Sequence, residues 1–256
     1  MINVIRMNAP GSNLAAVWAP RYGIRRVVVG VGAIHRDRFG PLAPCPPAPA
    51  KAPIPADPNN AAEAFVAYAG DRLWVASHLA QLTGIVLALA TLLVLGRQLE
   101  TNGGGVWVRL ASAGAIASLA LAAALQAVDG IALRAMVENW ATAVAGQKDS
   151  AFQSAFAVRQ VEIGLASVLS LVLGVAAALY GVALLDGLKY PRWAGGLAIA
   201  SGVPTALSGV VMASSGFSDL EMAINMPASA LLLVWLLALG VLMWWRDRSP
   251  SGKPAA

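Results

Sequence analysis

The stretch "GDRLWVASHLAQLTGIVLALATLLVL", residues 70–95, decides the fold class because it is a long and predominantly apolar run. A helix needs about 20 apolar residues to cross a hydrocarbon core of about 30 Å. The stretch has that length, yet its first half carries His78 and Gln81. Polar side chains in a membrane helix usually face the interior of a bundle. The stretch therefore predicts a membrane span with a polar contact near one of its ends.

Four more apolar runs follow, and the composition agrees with them. The chain has 256 residues, of which 58% are hydrophobic and 12% are charged, whereas a soluble domain has about 25% charged residues. We therefore predict an all-α, polytopic transmembrane bundle of five spans. The spans are expected at residues 73–95, 110–128, 161–185, 193–213 and 228–245.

The net charge of +5 does not indicate nucleic-acid binding. Residues 1–72 hold eight Lys/Arg and four Asp/Glu, so +4 of the charge lies in this tail. The other cations stand at helix ends, where they usually set membrane topology. The single cysteine, Cys45, excludes an intramolecular disulfide and a cysteine-rich metal site. We expect membrane lipids as partners and no nucleic acid.

The charges of the loops predict an orientation. The loops after spans one and three and the tail after span five all lie on one side and are net basic, through Arg97, Arg109, Lys189, Arg192, Arg246, Arg248 and Lys253. Basic loops face the cytoplasm. We therefore expect a multi-pass protein of the bacterial inner membrane with a cytoplasmic tail, residues 246–256. Five spans then place the N-terminus outside.

Residues 1–56 predict a disordered tail in front of the transmembrane domain, residues 57–245. The tail is basic, and residues 41–58 contain eight prolines, which favours an extended linker. It has no full-length apolar segment to lead it across the membrane. Two explanations stay open: the tail replaces a missing first span through a non-native start, or it is translocated without one.

The connection between spans two and three, residues 130–146, predicts an amphipathic helix at the membrane interface. Its apolar side chains fall on one side: Ile131, Ala135, Met136, Trp140 and Val144. Asp149, Ser150 and Gln153 then resemble a capping box, so the third spanning helix is expected to begin near Ala151 and to project beyond the bilayer.

Polar residues at helical spacing form the candidate site. By the predicted topology, all of them lie toward the outer leaflet: His78, Gln81, Gln126, Asp129, Arg159 and Glu162. They would line an outward-facing polar pocket, where Arg159 would hold an anionic headgroup. The alternative is that they only hydrogen-bond between helices, with Arg159 and Glu162 as an interfacial ion pair.

We assign no metal and no cofactor to this pocket. An imidazole and two carboxylates can bind a metal ion or carry protons, and His78, Asp129 and Glu162 are the candidates for that role. Bis-histidine haem would need a second histidine within the membrane, and the other one, His35, lies in the tail.

Small residues at every fourth position predict close helix packing. They occur at Ala80, Gly84 and Ala88 in span one, and at Ala194, Ala198, Gly202 and Ala206 in span four. The same faces offer a way to form a homo-oligomer.

Four segments resemble a group of uncharacterised multi-pass integral membrane proteins of bacteria, of the actinobacterial type. They are "DRLWVASHLAQLTG" (71–84), "ALQAVDGIALRAMVENWA" (124–141), "VRQVEIGLAS" (158–167) and "YPRWAG" (190–195). The resemblance covers residues 57–245. It implies the architecture and no activity. Members of such families often begin with an additional span, which residues 1–55 do not provide.

The leading hypothesis is therefore a non-catalytic binding or accessory protein with a pocket for a lipid headgroup or a small solute. No phosphate-binding glycine loop, HExxH or GxSxG motif is present. One alternative is a metal-dependent membrane hydrolase that uses His78, Asp129 and Glu162. Another is a proton-coupled transporter of small solutes, although we find no inverted repeat that supports it.

Overall fold

The computed structural model describes residues 60–101, 105–187 and 190–248, with side chains described as far as Arg246. The predicted N-terminal tail and most of the predicted cytoplasmic tail lie outside these residues, so their predictions stay predictions.

The described residues form α-helices connected by short turns, with no strand among them. The helices are α1 (Ala61–Gly70), α2 (Trp74–Glu100), α3 (Gly105–Gln126), α4 (Arg134–Thr142), α5 (Lys148–Asp186), α6 (Arg192–Ser215) and α7 (Asp219–Arg248). A π-helical turn, Ala127–Leu133, joins α3 directly to α4, and a 3₁₀ turn, Ala145–Gln147, leads into α5. The all-α prediction is confirmed.

Five helical segments of this part of the chain are long and apolar enough to cross a membrane. They are Trp74–Glu100, Gly105–Thr142, Ala145–Asp186, Arg192–Ser215 and Asp219–Arg246. The prediction of a five-span, multi-pass bundle is confirmed. The helix α5 has 39 residues and is about 58 Å long at 1.5 Å per residue, so it is longer than a hydrocarbon core of about 30 Å.

The helix α5 is the centre of the bundle. It packs most extensively on α6 and then on α3, while α7 packs on α6 and α2 packs on α3. Because α5 is antiparallel to both of its main neighbours, side chains near its start meet the end of α3 and the end of α6.

Small residues let α5 and α6 approach backbone to backbone. A Cβ atom added to Gly202 of α6 would lie 2.6 Å from the carbonyl oxygen of Gly174 in α5. The Ser167 hydroxyl also donates to the Gly209 carbonyl at 3.0 Å. The close packing predicted for α6 is confirmed. The corresponding stripe of α2 does not pack in this way, because no atom lies within 4 Å of a Cβ added to Gly84.

We call the end of the bundle that α1 and α4 cover the capped end. An aromatic and apolar cluster forms there around Phe65, with Leu133, Val137 and Ala155. The Phe65 ring centroid lies 5.9 Å from that of Trp140 and 5.6 Å from that of Phe152. The Asn60 side chain caps α1 by accepting from the Ala62 and Glu63 amides. No pattern in the sequence predicted α1.

The amphipathic helix predicted after span two is present as α4. The helix α4 continues α3 through the π turn. The segment from the π turn to the end of α4 buries Leu133 and Val137, whereas Ile131 is 58% exposed and Val144, after α4, is 66% exposed. A π turn closes i→i+5 bonds and so takes one more residue than an α turn. This extra residue turns a different side of α4 toward the bundle.

The helix α5 begins three residues before the predicted Ala151, and the predicted capping box is absent. The helix begins at Lys148, and the residue before it, Gln147, makes no side-chain capping bond. The Ser150 hydroxyl donates to the Gln147 carbonyl at 3.0 Å instead of accepting from a free backbone N–H. The 3₁₀ turn already leads the chain into the helix, so no capping box is needed.

We call the opposite end the basic end, because the arginines Arg97, Arg109, Arg192 and Arg246 lie there. Tyr190, in the connection before α6, contacts two helices at this end. Its hydroxyl donates to Gln98 Oε1 of α2, and its ring lies 5.0 Å from the guanidinium carbon of Arg246 in α7.

Candidate functional site

An ion pair between α2 and the π turn forms one side of the candidate site. His78 Nε2 lies 3.0 Å from Asp129 Oδ2, and the two side chains are 14% and 20% exposed. The other ring nitrogen, Nδ1, lies 2.7 Å from the carbonyl oxygen of Trp74. A carbonyl oxygen only accepts, so Nδ1 carries a hydrogen.

This geometry fixes the proton count of the pair. If Nδ1 carries a hydrogen, the contact from Nε2 to Asp129 needs one further proton between them. Either an imidazolium donates to a carboxylate, or a protonated carboxyl group donates to a neutral imidazole. In both forms the His78–Asp129 pair has no net charge and shares one proton.

The π turn and two of its neighbours hold this pair in position. The Trp74 indole donates to the carbonyl oxygen of Asp129 at 3.2 Å. A Cβ added to Gly130 would lie 2.8 Å from His78 Cβ, so the glycine lets α2 approach the turn. π turns often occur at functional sites, and here the turn positions the only carboxylate that contacts His78 in the described part of the chain.

Arg159 of α5 lies beside this pair and is 2% exposed. It donates from Nη1 to the Tyr68 hydroxyl of α1 at 3.1 Å. Its guanidinium carbon lies 5.8 Å from the Tyr68 ring centroid and 5.5 Å from that of Phe217, which are cation–π distances. Arg159 therefore connects α5 with α1 and with the α6–α7 connection.

Gln126 and Glu162 complete the site from α3 and α5. They are 5% and 6% exposed. Gln126 Oε1 and Glu162 Oε2 have no hydrogen-bond partner among the described residues. A buried polar atom without a partner is costly, and such atoms are uncommon.

The register of α3 and α5 places these two side chains at the same level. A Cβ added to Gly114 would lie 2.8 Å from Ala176 Cβ. Because the helices are antiparallel, twelve residues onward from Gly114 correspond to about twelve residues back along α5. Gln126 then stands opposite Gly164, two residues from Glu162, and Asp129 stands opposite Val161, two residues from Arg159. Both Asp129 and Arg159 interact electrostatically with Glu162.

We call His78, Gln126, Asp129, Arg159 and Glu162 the polar cluster. It joins α2, α3, the π turn and α5 near the capped end, within segments long enough to span a membrane. Of the six residues predicted for the site, these five come together. Gln81 does not join them, because it lies exposed on α2.

An open groove lies beside the polar cluster, between α5 and the end of α6. It has a volume of about 480 Å³, which is in the size range of small-molecule sites. Arg159 is its charged lining residue, and polar groups of Gln160, Ser214 and Ser215 also line it. The groove gives the arginine a neighbouring space in which a ligand can lie.

The metal hypothesis receives no support from the arrangement of side chains. Among the described residues, no group of three His, Cys, Asp or Glu side chains could hold a metal ion. His78 and Asp129 bind each other, and Glu162 stands beside Arg159. The three candidates therefore do not form one ligand set.

Three contacts of the site were not found by sequence reasoning. Tyr68 lies in α1, which was not predicted, and Phe217 lies in the connection after α6. Trp74 stands one helical turn before His78 on α2, but its hydrogen bond to the backbone of Asp129 depends on the π turn. No signal in the sequence marked that turn.

The chain matches no family model, and no curated protein or solved structure matches it. The resemblance described for residues 57–245 therefore stays a prediction, and function is argued from the geometry of the site.

Proposed function

We propose that this protein is a non-catalytic binding or accessory protein of the bacterial inner membrane. Its capped end would hold a lipid headgroup or a small polar solute in an outward-facing pocket. The observation that carries this proposal is the buried guanidinium of Arg159 on the wall of an open groove.

The chemistry of the groove suits an anionic group. An arginine binds phosphate and carboxylate oxygens through paired N–H groups. The Gln160 amide and the hydroxyls of Ser214 and Ser215 add further polar groups on the same walls. The groove is large enough for a headgroup.

The unpartnered oxygens of Gln126 and Glu162 favour binding over a purely structural role. A cluster that only holds helices together would be expected to satisfy its own hydrogen bonds. The serines and threonine of α6 behave in that way, since Ser201, Thr205 and Ser208 all donate to carbonyls of their own helix. Two buried acceptors in the polar cluster instead lack a donor.

The apolar interior beyond the polar cluster favours binding over proton-coupled transport. A transporter gives its site access from both sides of the membrane. Toward the basic end, the interior is filled by a large apolar cluster that includes Leu92, Leu95 and Leu184. This core separates the polar cluster from the basic end.

The orientation is part of the proposal. The arginines of the basic end would face the cytoplasm together with the C-terminus. The capped end and the groove would then face outward.

The first experiment measures the lipid that stays bound to the purified protein. We expect Arg159→Gln to lower the lipid retained per protein by about ten-fold or more, because the headgroup loses a charged hydrogen-bond donor. Quantitative mass spectrometry of lipid extracts measures the ratio. Arg109→Gln is the charge-matched control, because Arg109 is exposed near the start of α3.

A second variant fills the groove and keeps the charge of Arg159. Ala213→Trp fills the groove from α6 and is expected to lower retention without changing Arg159. Equal retention in the wild type and in both folded variants would contradict the proposal.

A further inference from the structure

A second groove lies between the same two helices that form the groove beside the polar cluster. It has a volume of about 340 Å³ and lies nearer the basic end. All of its lining residues are apolar. They include Val175, Ala178 and Val182 of α5 and Ile199, Val203 and Ala206 of α6. We call it the apolar groove.

Helical spacing places the two grooves on one strip of α6. Ala213 lines the groove beside the polar cluster, and Ala206, Val203 and Ile199 line the apolar groove. Together with Val210, these residues follow each other at steps of three and four, which keeps them on one side of the helix. Val210 is 53% exposed, so the strip is open between the two grooves.

The facing strip of α5 is open in the same way. Gln160 lines the groove beside the polar cluster, and Leu171, about three turns further along the helix, is 38% exposed. Between them, no atom lies within 4 Å of a Cβ added to Gly164. Ala178 and Val182 of the apolar groove follow on the same side. We call the whole depression the α5–α6 trench.

The trench has the polarity of an amphiphile. Its end near the capped end is lined by polar groups of Gln160, Ser214 and Ser215, and its other end is apolar. An apolar groove alone gains little from an acyl chain in a membrane, because lipid tails are as apolar as the side chains around them. A polar groove alone accepts a soluble solute as well. Only the two together favour a lipid.

The length of the trench matches one lipid. Gln160 and Val175 line its two ends, and fifteen residues of helix between them rise by about 22 Å. One leaflet with its headgroups is about 20–22 Å thick, which is half of a bilayer of about 40–45 Å. A lipid of that leaflet can therefore reach from one groove into the other.

We propose, as a step that rests on the function above, that the ligand is a single membrane phospholipid bound along the α5–α6 trench. Its headgroup occupies the groove beside the polar cluster. One acyl chain runs past Leu171 and Val210 into the apolar groove. A soluble solute would use the first groove only.

The test reconstitutes the full-length protein in vesicles of phosphatidylethanolamine and phosphatidylglycerol in equal amounts. After detergent extraction, mass spectrometry quantifies the phospholipid retained per protein. Val203→Trp fills the apolar groove, and Val210→Trp blocks the strip between the grooves. Each should lower retention by about ten-fold or more, because the acyl chain loses its packing contacts. Both side chains are more than half exposed, so neither change disturbs the core.

A groove between α2 and α7 supplies the matched control. It has a volume of about 430 Å³ and is lined mainly by apolar residues, but it lies on other helices than the groove beside the polar cluster. Leu237 lines it and is 63% exposed. Leu237→Trp should therefore retain as much phospholipid as the wild type.

A second measurement needs no variant. The wild type is reconstituted with phosphatidylethanolamine that carries a diazirine in one acyl chain and is then illuminated. We expect cross-links to residues 171–182 and 199–210 at a yield about ten-fold or more above that at residues 84–91 and 233–241. Equal yields at both grooves would overturn the proposal.

The failures of the two proposals differ. If Ala213→Trp loses the lipid while Val203→Trp and Val210→Trp retain it, the trench proposal is wrong and headgroup binding stands. The trench proposal is also wrong if Leu237→Trp loses as much lipid as Val203→Trp.

Binding of the free headgroups gives the last distinction. If glycerol phosphate or phosphoethanolamine binds equally well to the wild type and to Val203→Trp, the ligand is a soluble solute and only the trench proposal is wrong. If the wild type retains no phospholipid and binds neither compound, both proposals are wrong.

Discussion

At the scale of single residues, Gly130 decides whether the ion pair of the polar cluster can form. The glycine lies directly against the His78 side chain, because a Cβ at this position would come within 2.8 Å of His78 Cβ. A larger residue would push α2 away from the π turn. His78 would then lose Asp129, and the Trp74 indole would lose the carbonyl that it contacts.

We therefore expect Gly130→Ala to lower the free energy of unfolding by about 1–3 kcal/mol through overpacking. Thermal unfolding of the detergent-solubilised protein measures the change. Gly84→Ala is the matched control, since no atom lies within 4 Å of a Cβ there, and a helical glycine replaced by alanine gains stability. Equal melting temperatures for the two variants would show that the contact at Gly130 carries no strain.

The residue scale also shows what helical spacing can and cannot predict. The spacing placed His78, Gln126, Asp129, Arg159 and Glu162 near one end of the bundle, and the structure brings them together. The spacing failed for Gln81, because residues three apart and residues four apart both lie near one side of a helix. The side of α2 that faces the interior passes through Ile85 and Leu89 instead. The Tyr68 partner of Arg159 is 91 residues away in sequence, and no local pattern reveals such a contact.

At the scale of helices, the α5–α6 interface depends on glycines that allow backbone contact. We expect Gly202→Leu to destabilise the protein by about 3 kcal/mol or more, because its side chain would collide with the Gly174 carbonyl and the Ala178 amide. The fraction of monodisperse protein in size-exclusion chromatography measures the loss of folded material.

The same helix supplies the control for this interface. Gly196 is exposed, and no atom lies within 4 Å of a Cβ added there, so Gly196→Leu should yield as much folded protein as the wild type. If Gly202→Leu also does so, α5 and α6 can separate without cost, and the interface is not what holds the bundle together.

Hydropathy predicted the five spans well, because each one has to be long and apolar to cross the membrane. It did not predict α1, whose ten residues are stabilised by the ring contacts of Phe65 rather than by length. Of the apolar side predicted for α4, Met136 and Trp140 pack on the cluster of the capped end, whereas Ile131 and Val144 are exposed. The π turn between α3 and α4 changes the helical periodicity, and contacts distant in sequence, from Trp74 and His78, hold it in position.

At the scale of the whole molecule, the distribution of charge predicts which end enters the cytoplasm. The arginines at the ends of α2, α6 and α7 stand at the basic end, and basic residues resist translocation. We expect a fluorescent-protein fusion after Arg248 to be bright and an alkaline-phosphatase fusion at Gly146, between α4 and α5, to be active. The exchanged fusions, each reporter at the other site, should be inactive, and a reversed pattern would invert the proposed topology.

The π turn has a consequence for chains that descend from the same ancestor. A turn that closes i→i+5 bonds holds one residue more than the α turn that would replace it. If one residue were deleted between Gln126 and Leu133, the chain beyond the deletion would rotate by about 100° relative to α3. Asp129 could then contact His78, or Val137 could stay in the interior, but not both. Homologues that keep the shared proton must therefore keep the extra residue. A one-residue gap at this point of an alignment would mark chains that retain five membrane spans and have lost the ion pair.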